Sequence, residues 1–90
     1  MKCAHIFIIG DVIGVGFRAW TVRNANELGL TGWVRNADNK TVEAVFEADV
    51  EKVKEMIERC RKGPEVAWVE KLEIKWEVAT GEFVIFQIRN

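Results

Sequence analysis

Ninety residues suffice for one domain with one modest core, and 49% apolar residues, with four Trp and five Phe among them, can build it. Thirteen Lys and Arg against fourteen Asp and Glu leave a formal charge of −1, so there is no global electrostatic basis for holding nucleic acid or a membrane surface. One His and two Cys, with no CxxC pair, cannot assemble a zinc set; a reduced chain is the simpler reading, and a Cys3–Cys60 disulfide stays open.

Residues 3–9, CAHIFII, form a nearly continuous apolar run, which predicts a central strand buried on both faces. The following stretch carries Gly10, Gly14 and Gly16 and must be a loop. A helix is expected from about Arg18 to Leu28, with Val22, Ala25 and Leu28 on one face and Arg23, Asn24, Asn26 and Glu27 in water. Gly29 suits the position just past its end.

Two short strands follow, Gly32–Arg35 and Thr41–Glu47, joined by N-A-D-N-K, which is turn chemistry. In the second, Val42, Ala44 and Phe46 share one face, and Thr41, Glu43 and Glu47 fall largely on the other. Asp49 is placed to cap a second helix over 49–61, with Val50, Val53, Ile57 and Cys60 as its apolar stripe. Lys54–Glu58 and Glu55–Arg59 are i,i+4 pairs on its wet face, and Gly63–Pro64 stops it. Residues 68–78 alternate: Trp68, Leu72, Ile74, Trp76 and Val78 on one side, Lys71, Glu73, Lys75 and Glu77 on the other. A turn at Thr80–Gly81–Glu82 leads to a last strand over 83–88.

The order β-α-β-β-α-β, with an extra strand at the end, predicts an α+β fold of the ferredoxin-like kind. Two helices would cover one face of a mainly antiparallel sheet, in a single domain over residues 1–90. Such a fold hosts many functions and decides none of them. The N-terminus enters an apolar run without a signal-peptide pattern, and no apolar stretch is long enough to span a bilayer. A cytoplasmic protein is expected by default.

The loop Gly10–Arg18 is the first candidate site. Gly14 and Gly16 let the backbone bend so that N–H groups converge, and the helix that starts there leaves its first N–H groups without partners. Arg18 adds a permanently charged fork suited to phosphate. A cation at a helix N-terminus is unfavourable unless something negative compensates it, which favours an anion site over a mere tight turn. Asp11, at the loop entrance, is assumed to face solvent.

Asn36 ends G-W-V-R-N. It reads either as a turn residue or as a neutral amide that holds a water in line with phosphorus. His5 reads as a satisfied core residue, and neither cysteine has a catalytic context. With no metal-ligand cluster and no placed acid, the suitable substrate is one whose leaving group needs no proton, such as a carboxyl–phosphate anhydride.

V-I-G-V-G-F-R and G-W-V-R-N, together with A-N-E-L-G-L-T-G-W-V-R-N, V-E-A-V and G-P-E-V-A-W-V, resemble the acylphosphatases over essentially the whole chain. The resemblance implies hydrolysis of acyl phosphates by a monomer with no cofactor or metal and no nucleic-acid or membrane partner. It implies a phosphate or sulfate anion held by Ile13, Gly14, Val15, Gly16, Phe17 and Arg18. Arg18 would bind the phosphoryl group and Asn36 would orient the attacking water. Ile13, Asp11, Lys40 and Ala48 depart from the family pattern; at the hairpin, Asn39 is expected to take the left-handed conformation a glycine would supply. A non-catalytic anion-binding domain of the same fold is the alternative, and a nucleic-acid-binding module with stacking aromatics is a weaker third.

Overall fold

A computed structural model describes residues 1–89. The chain runs β1 (Lys2–Asp11), α1 (Phe17–Glu27), β2 (Thr31–Asp38), β3 (Thr41–Ala48), α2 (Val50–Lys62), β4 (Trp68–Val78) and β5 (Phe86–Ile88). The strands form one sheet in the order β4-β1-β3-β2-β5. All pairings are antiparallel except that of β2 with β5. Both helices pack on one face, so the expected α+β, ferredoxin-like sandwich is what forms, with β5 added at an edge.

β1 shows why one face only is dry. Ala4, Ile6 and Ile8 are fully buried under the helices, whereas His5, Phe7 and Ile9 are half-buried on the open face. The expectation of burial on both faces therefore fails, because no layer covers the second face. Ala44 and Phe46 of β3 and Val34 of β2 complete the helix-side floor.

α1 starts one residue earlier than its periodicity suggests, and buries Phe17, Thr21 and Ala25. Val22 and Leu28 are half-buried at the rim of that stripe. Thr21 is accommodated in the core because its Oγ1 donates to the Phe17 carbonyl at 2.8 Å. Asn24 also leaves the solvent face: its Nδ2 donates to the Trp20 carbonyl, and its Oδ1 accepts from Arg59 Nη1 at 2.8 Å, tying α1 to α2.

The β2–β3 turn needs no left-handed asparagine. Among the described residues every positive φ belongs to glycine. Asp38 Oδ1 instead accepts the Lys40 N–H at 2.8 Å, a side chain standing in for a turn carbonyl. On α2, Asp49 occupies the cap position, but its side chain makes no capping bond; its carbonyl takes the Lys52 and Val53 amides. Met56 joins Val53, Ile57 and Cys60 in the buried stripe. Glu55 pairs with Arg59 as expected, while Glu58 turns to Arg61 at 2.8 Å and not to Lys54. Both cysteines are free and buried.

β4 departs most from its pattern. Its register with β1 slips between Ile9 and Gly10: Ile9 faces Lys71, Gly10 faces Val69 and Asp11 faces Trp68. This bulge reverses the side-chain phase, since one extra residue flips the alternation. Val69, Leu72 and Ile74 thus pack on the core, and Trp68 lies 70% exposed. Trp76 and Val78 also stay exposed, because they sit on the sheet's outer strand. The last strand is confined to Phe86–Ile88, with Phe86 stacked on Phe46.

Candidate active site

The loop between β1 and α1 is anchored by apolar side chains. Val12 is buried, and Ile13 and Val15 pack against the core. Gly14 and Gly16 have φ of +76° and +79°, a conformation L side chains avoid. A Cβ at either position would meet nothing within 4 Å, so glycine is required here by backbone conformation and not by space. Left-handed residues alternating with ordinary ones curl successive N–H groups into a concave nest.

Gly16 is the N-cap of α1, so the helix has no side-chain cap, and its first turn holds no acidic residue. Its first intrahelical bond runs from Trp20 N to Gly16 O. The amides from Ile13 through Ala19 find no acceptor among the described residues. Arg18 likewise makes no hydrogen bond or ion pair with them. A helix start, a nest and an unpartnered guanidinium all place positive potential at one spot.

β2 supplies the facing wall. Val34 points into the core, and Asn36, two residues on, lies on the same side of the strand but past the edge of that core. The β2–β3 register slips between Asn36 and Asp38, a bulge that ends regular pairing just beyond Asn36. The result is a cavity of about 190 Å³ lined by Val12, Gly14, Gly16, Phe17, Arg18, Ala19, Asn36 and Ile88. The loop, the helix start and Asn36, separate in sequence, meet there.

Ile13 and Val15 do not line the cavity with their side chains; what they can offer a ligand is backbone. Asp11 is exposed and borders a different cavity, of about 330 Å³, with Gly10, Asn39, Lys40, Trp68 and Glu70. Its carboxylate is therefore not part of the Arg18 cavity. Ala19 and Ile88 were not among the expected residues, and Val12 was expected only as part of the loop. Ala19 was foreseeable, since it carries one of the first free amides of a helix. Ile88 was not, because it arrives through the parallel pairing of β5 with β2.

Two carboxylates that alternation placed on the open sheet face lie buried there, which the sequence did not show. Glu43 accepts from Arg35 Nε at 2.7 Å and lies 2.6 Å from His5 Nε2. Burial alone would raise its pKa, but the bonds from His5 and Arg35 outweigh that and hold it below the usual range. Glu47 accepts from Thr80 N, Thr80 Oγ1 and Gly81 N at 2.9, 3.1 and 3.1 Å. There too burial pulls upward, and the amides of Thr80 and Gly81 prevail. His5 is satisfied, as expected, but on the open face.

The acylphosphatase family model matches residues 4–88. The chain belongs to the acylphosphatase family. An acylphosphatase of Syntrophobacter fumaroxidans is 51% identical over 85 residues, 94% of this chain and 88% of that one. The crystal structure of acylphosphatase from Bacillus subtilis superposes with a TM-score of 0.95 at 27% identity, covering 100% of both chains. An acylphosphatase structure from Coxiella burnetii gives 0.92 at 32% identity, over 98% of this chain and 92% of that one. Family membership makes the chain a hydrolase of the anhydride bond between carboxyl and phosphoryl groups. No helix among the described residues is long and apolar enough to cross a membrane.

Proposed function

We propose that the Arg18–Asn36 cavity is where this chain hydrolyses small acyl phosphates. The observation that carries the reading is one cavity that joins loop amides, Arg18 and the Asn36 amide, none of which has a hydrogen-bond partner among the described residues. The phosphoryl group takes the cradle of residues 13–19, with the Arg18 fork on its oxygens. Inorganic phosphate or sulfate would occupy the same place.

Asn36 does not titrate usefully, so it cannot act as a base. Its amide orients a water opposite the leaving oxygen, and positioning supplies much of the rate in phosphoryl transfer. The water oxygen forms a bond to phosphorus as the bond to the acyl oxygen breaks. That electron pair leaves on the carboxylate. The water's proton passes to a phosphoryl oxygen, giving carboxylate and inorganic phosphate. Besides Arg18 the described residues lining the cavity carry no titratable side chain, so none of them can protonate a poor leaving group. A carboxylate needs no such help.

A single copy is the proposed catalytic unit, and residues 1–90 one domain of this kind. Two free thiols support a reducing compartment such as the cytoplasm. Calorimetric titration with inorganic phosphate tests the division of roles. Phosphate should bind the wild type and Asn36→Ala alike and fail to bind Arg18→Ala. Equal binding by all three would overturn it.

A further inference from the structure

β4 is the longest strand, at eleven residues, and forms one edge of the sheet, pairing with β1 alone among the described strands. A long open edge of N–H and C=O groups is a template for another strand. Its open-face residues read Lys71, Glu73, Lys75, Glu77, all at the surface. Neighbours along the strand already pair, Lys71 with Glu73 at 3.0 Å and Lys75 with Glu77 at 3.7 Å.

We infer that β4 pairs antiparallel with β4 of a second copy about a two-fold axis at Ile74. In that register Lys71 faces Glu77 of the second copy and Glu73 faces its Lys75. The two-fold repeats both pairs, so every charge has opposite charges along and across the strands. On the other face Leu72 lies against Trp76 of the second copy, and Ile74 against Ile74. This covers part of Trp76, which is 44% exposed in one copy.

The register is selected by exclusion as well as attraction. A slip of two residues one way sets Lys71 against Lys75 and Glu73 against Glu73. The opposite slip sets Glu73 against Glu77 and Lys75 against Lys75. Like charges directly across are destabilising. An odd slip puts charged residues on the apolar face. Charged side chains on an edge normally discourage pairing with arbitrary strands; here the same residues admit one partner. The paired segment, 71–77, lies clear of the bulge near Glu70. The pairing is isologous and closes on itself. The Arg18 cavity draws on β2 and β5, at the far side of the sheet, so it stays open in the pair. An edge-to-edge contact buries little apolar area, so the pair is weak and depends on concentration.

Sedimentation velocity across protein concentrations up to millimolar, at low and high salt, tests this. A monomer–dimer equilibrium that weakens with salt is expected. Glu73→Lys, and separately Lys75→Glu, should weaken it about tenfold or more, and the two together should restore it. Circular dichroism and acyl phosphate hydrolysis should be unchanged in all three variants. A monomer at every concentration, a dimer indifferent to either single change, or no recovery in the double variant would overturn the proposal.

Discussion

Phe17 and Gly63 fix the start of α1 against the end of α2: a Cβ on Gly63 would lie 2.8 Å from Phe17 Cε2. Phe17 is the first residue of α1 and is buried, with its ring edge-on to Trp20 at 5.3 Å. The cradle thus depends on a glycine distant in sequence.

Gly63→Ala should therefore cost more than the φ of +67° alone explains. Gly81 has a φ of +72° and open space around its Cβ position, so Gly81→Ala carries the conformational cost by itself, about 1–2 kcal/mol. Overpacking against the Phe17 ring should add roughly 1–3 kcal/mol in Gly63→Ala. Urea unfolding of both variants measures the difference. Gly63→Ala should also lose activity, and Gly81→Ala should not.

Arg18→Ala should separate stability from activity. Arg18 has no anionic partner among the described residues and stands in the first turn of α1. Its removal relieves a cation at the positive helix end, a gain of about 0.3–1 kcal/mol without ligand. Thermal unfolding should show Arg18→Ala as stable as the wild type or slightly more so. Added phosphate should raise the wild-type midpoint and leave the variant's unmoved.

Glu43 and Glu47 should govern acid stability. Both have folded pKa values below the ordinary 4.5. As pH falls the unfolded chain takes up these protons first, so folding loses ground. The stabilisation is complete above the ordinary value and fades as pH drops through the lower folded values. Glu43→Gln should cost about 1–3 kcal/mol at neutral pH and flatten the acid limb of a stability–pH curve. Parallel wild-type and variant curves would contradict the assignment.

Glu47 should also control the segment after β4 and the reactivity of Cys3. Burial, then the charges of Glu47 and Glu77, push the Cys3 thiol up to about 11; burial pushes Cys60 up to about 12. Neither thiol should react with a disulfide reagent in the folded protein at mildly alkaline pH, and both should react on unfolding. Glu47→Ala should speed exchange of the Thr80 and Gly81 amides roughly tenfold, one lost hydrogen bond each. It should accelerate Cys3 and leave Cys60 unchanged.

Periodicity and turn residues carried most of the architecture, because each helix and strand has a local signal of its own. They misplaced Trp68, since a single extra residue near Glu70 reverses the alternation and nothing local marks a bulge. Alternation put Glu43 and Glu47 on the open face correctly. It could not show them buried, because their partners His5, Arg35 and Thr80 come from other parts of the chain. Helix-end physics alone singled out the loop and Arg18 as a candidate anion site. Asn36 was less legible: spacing left it either a turn residue or a water-holding amide, and family resemblance chose the second before the fold brought it and Arg18 to one cavity.

Arg18 and Asn36 are proposed to act together on an acyl phosphate in that cavity. The direct measurement is hydrolysis of benzoyl phosphate, with chelator present, by the wild type, Arg18→Ala and Asn36→Ala. The wild type should turn over; each variant should lose roughly 10²–10³-fold in kcat, with KM raised for Arg18→Ala and little changed for Asn36→Ala. Wild-type rates in both variants would contradict the account.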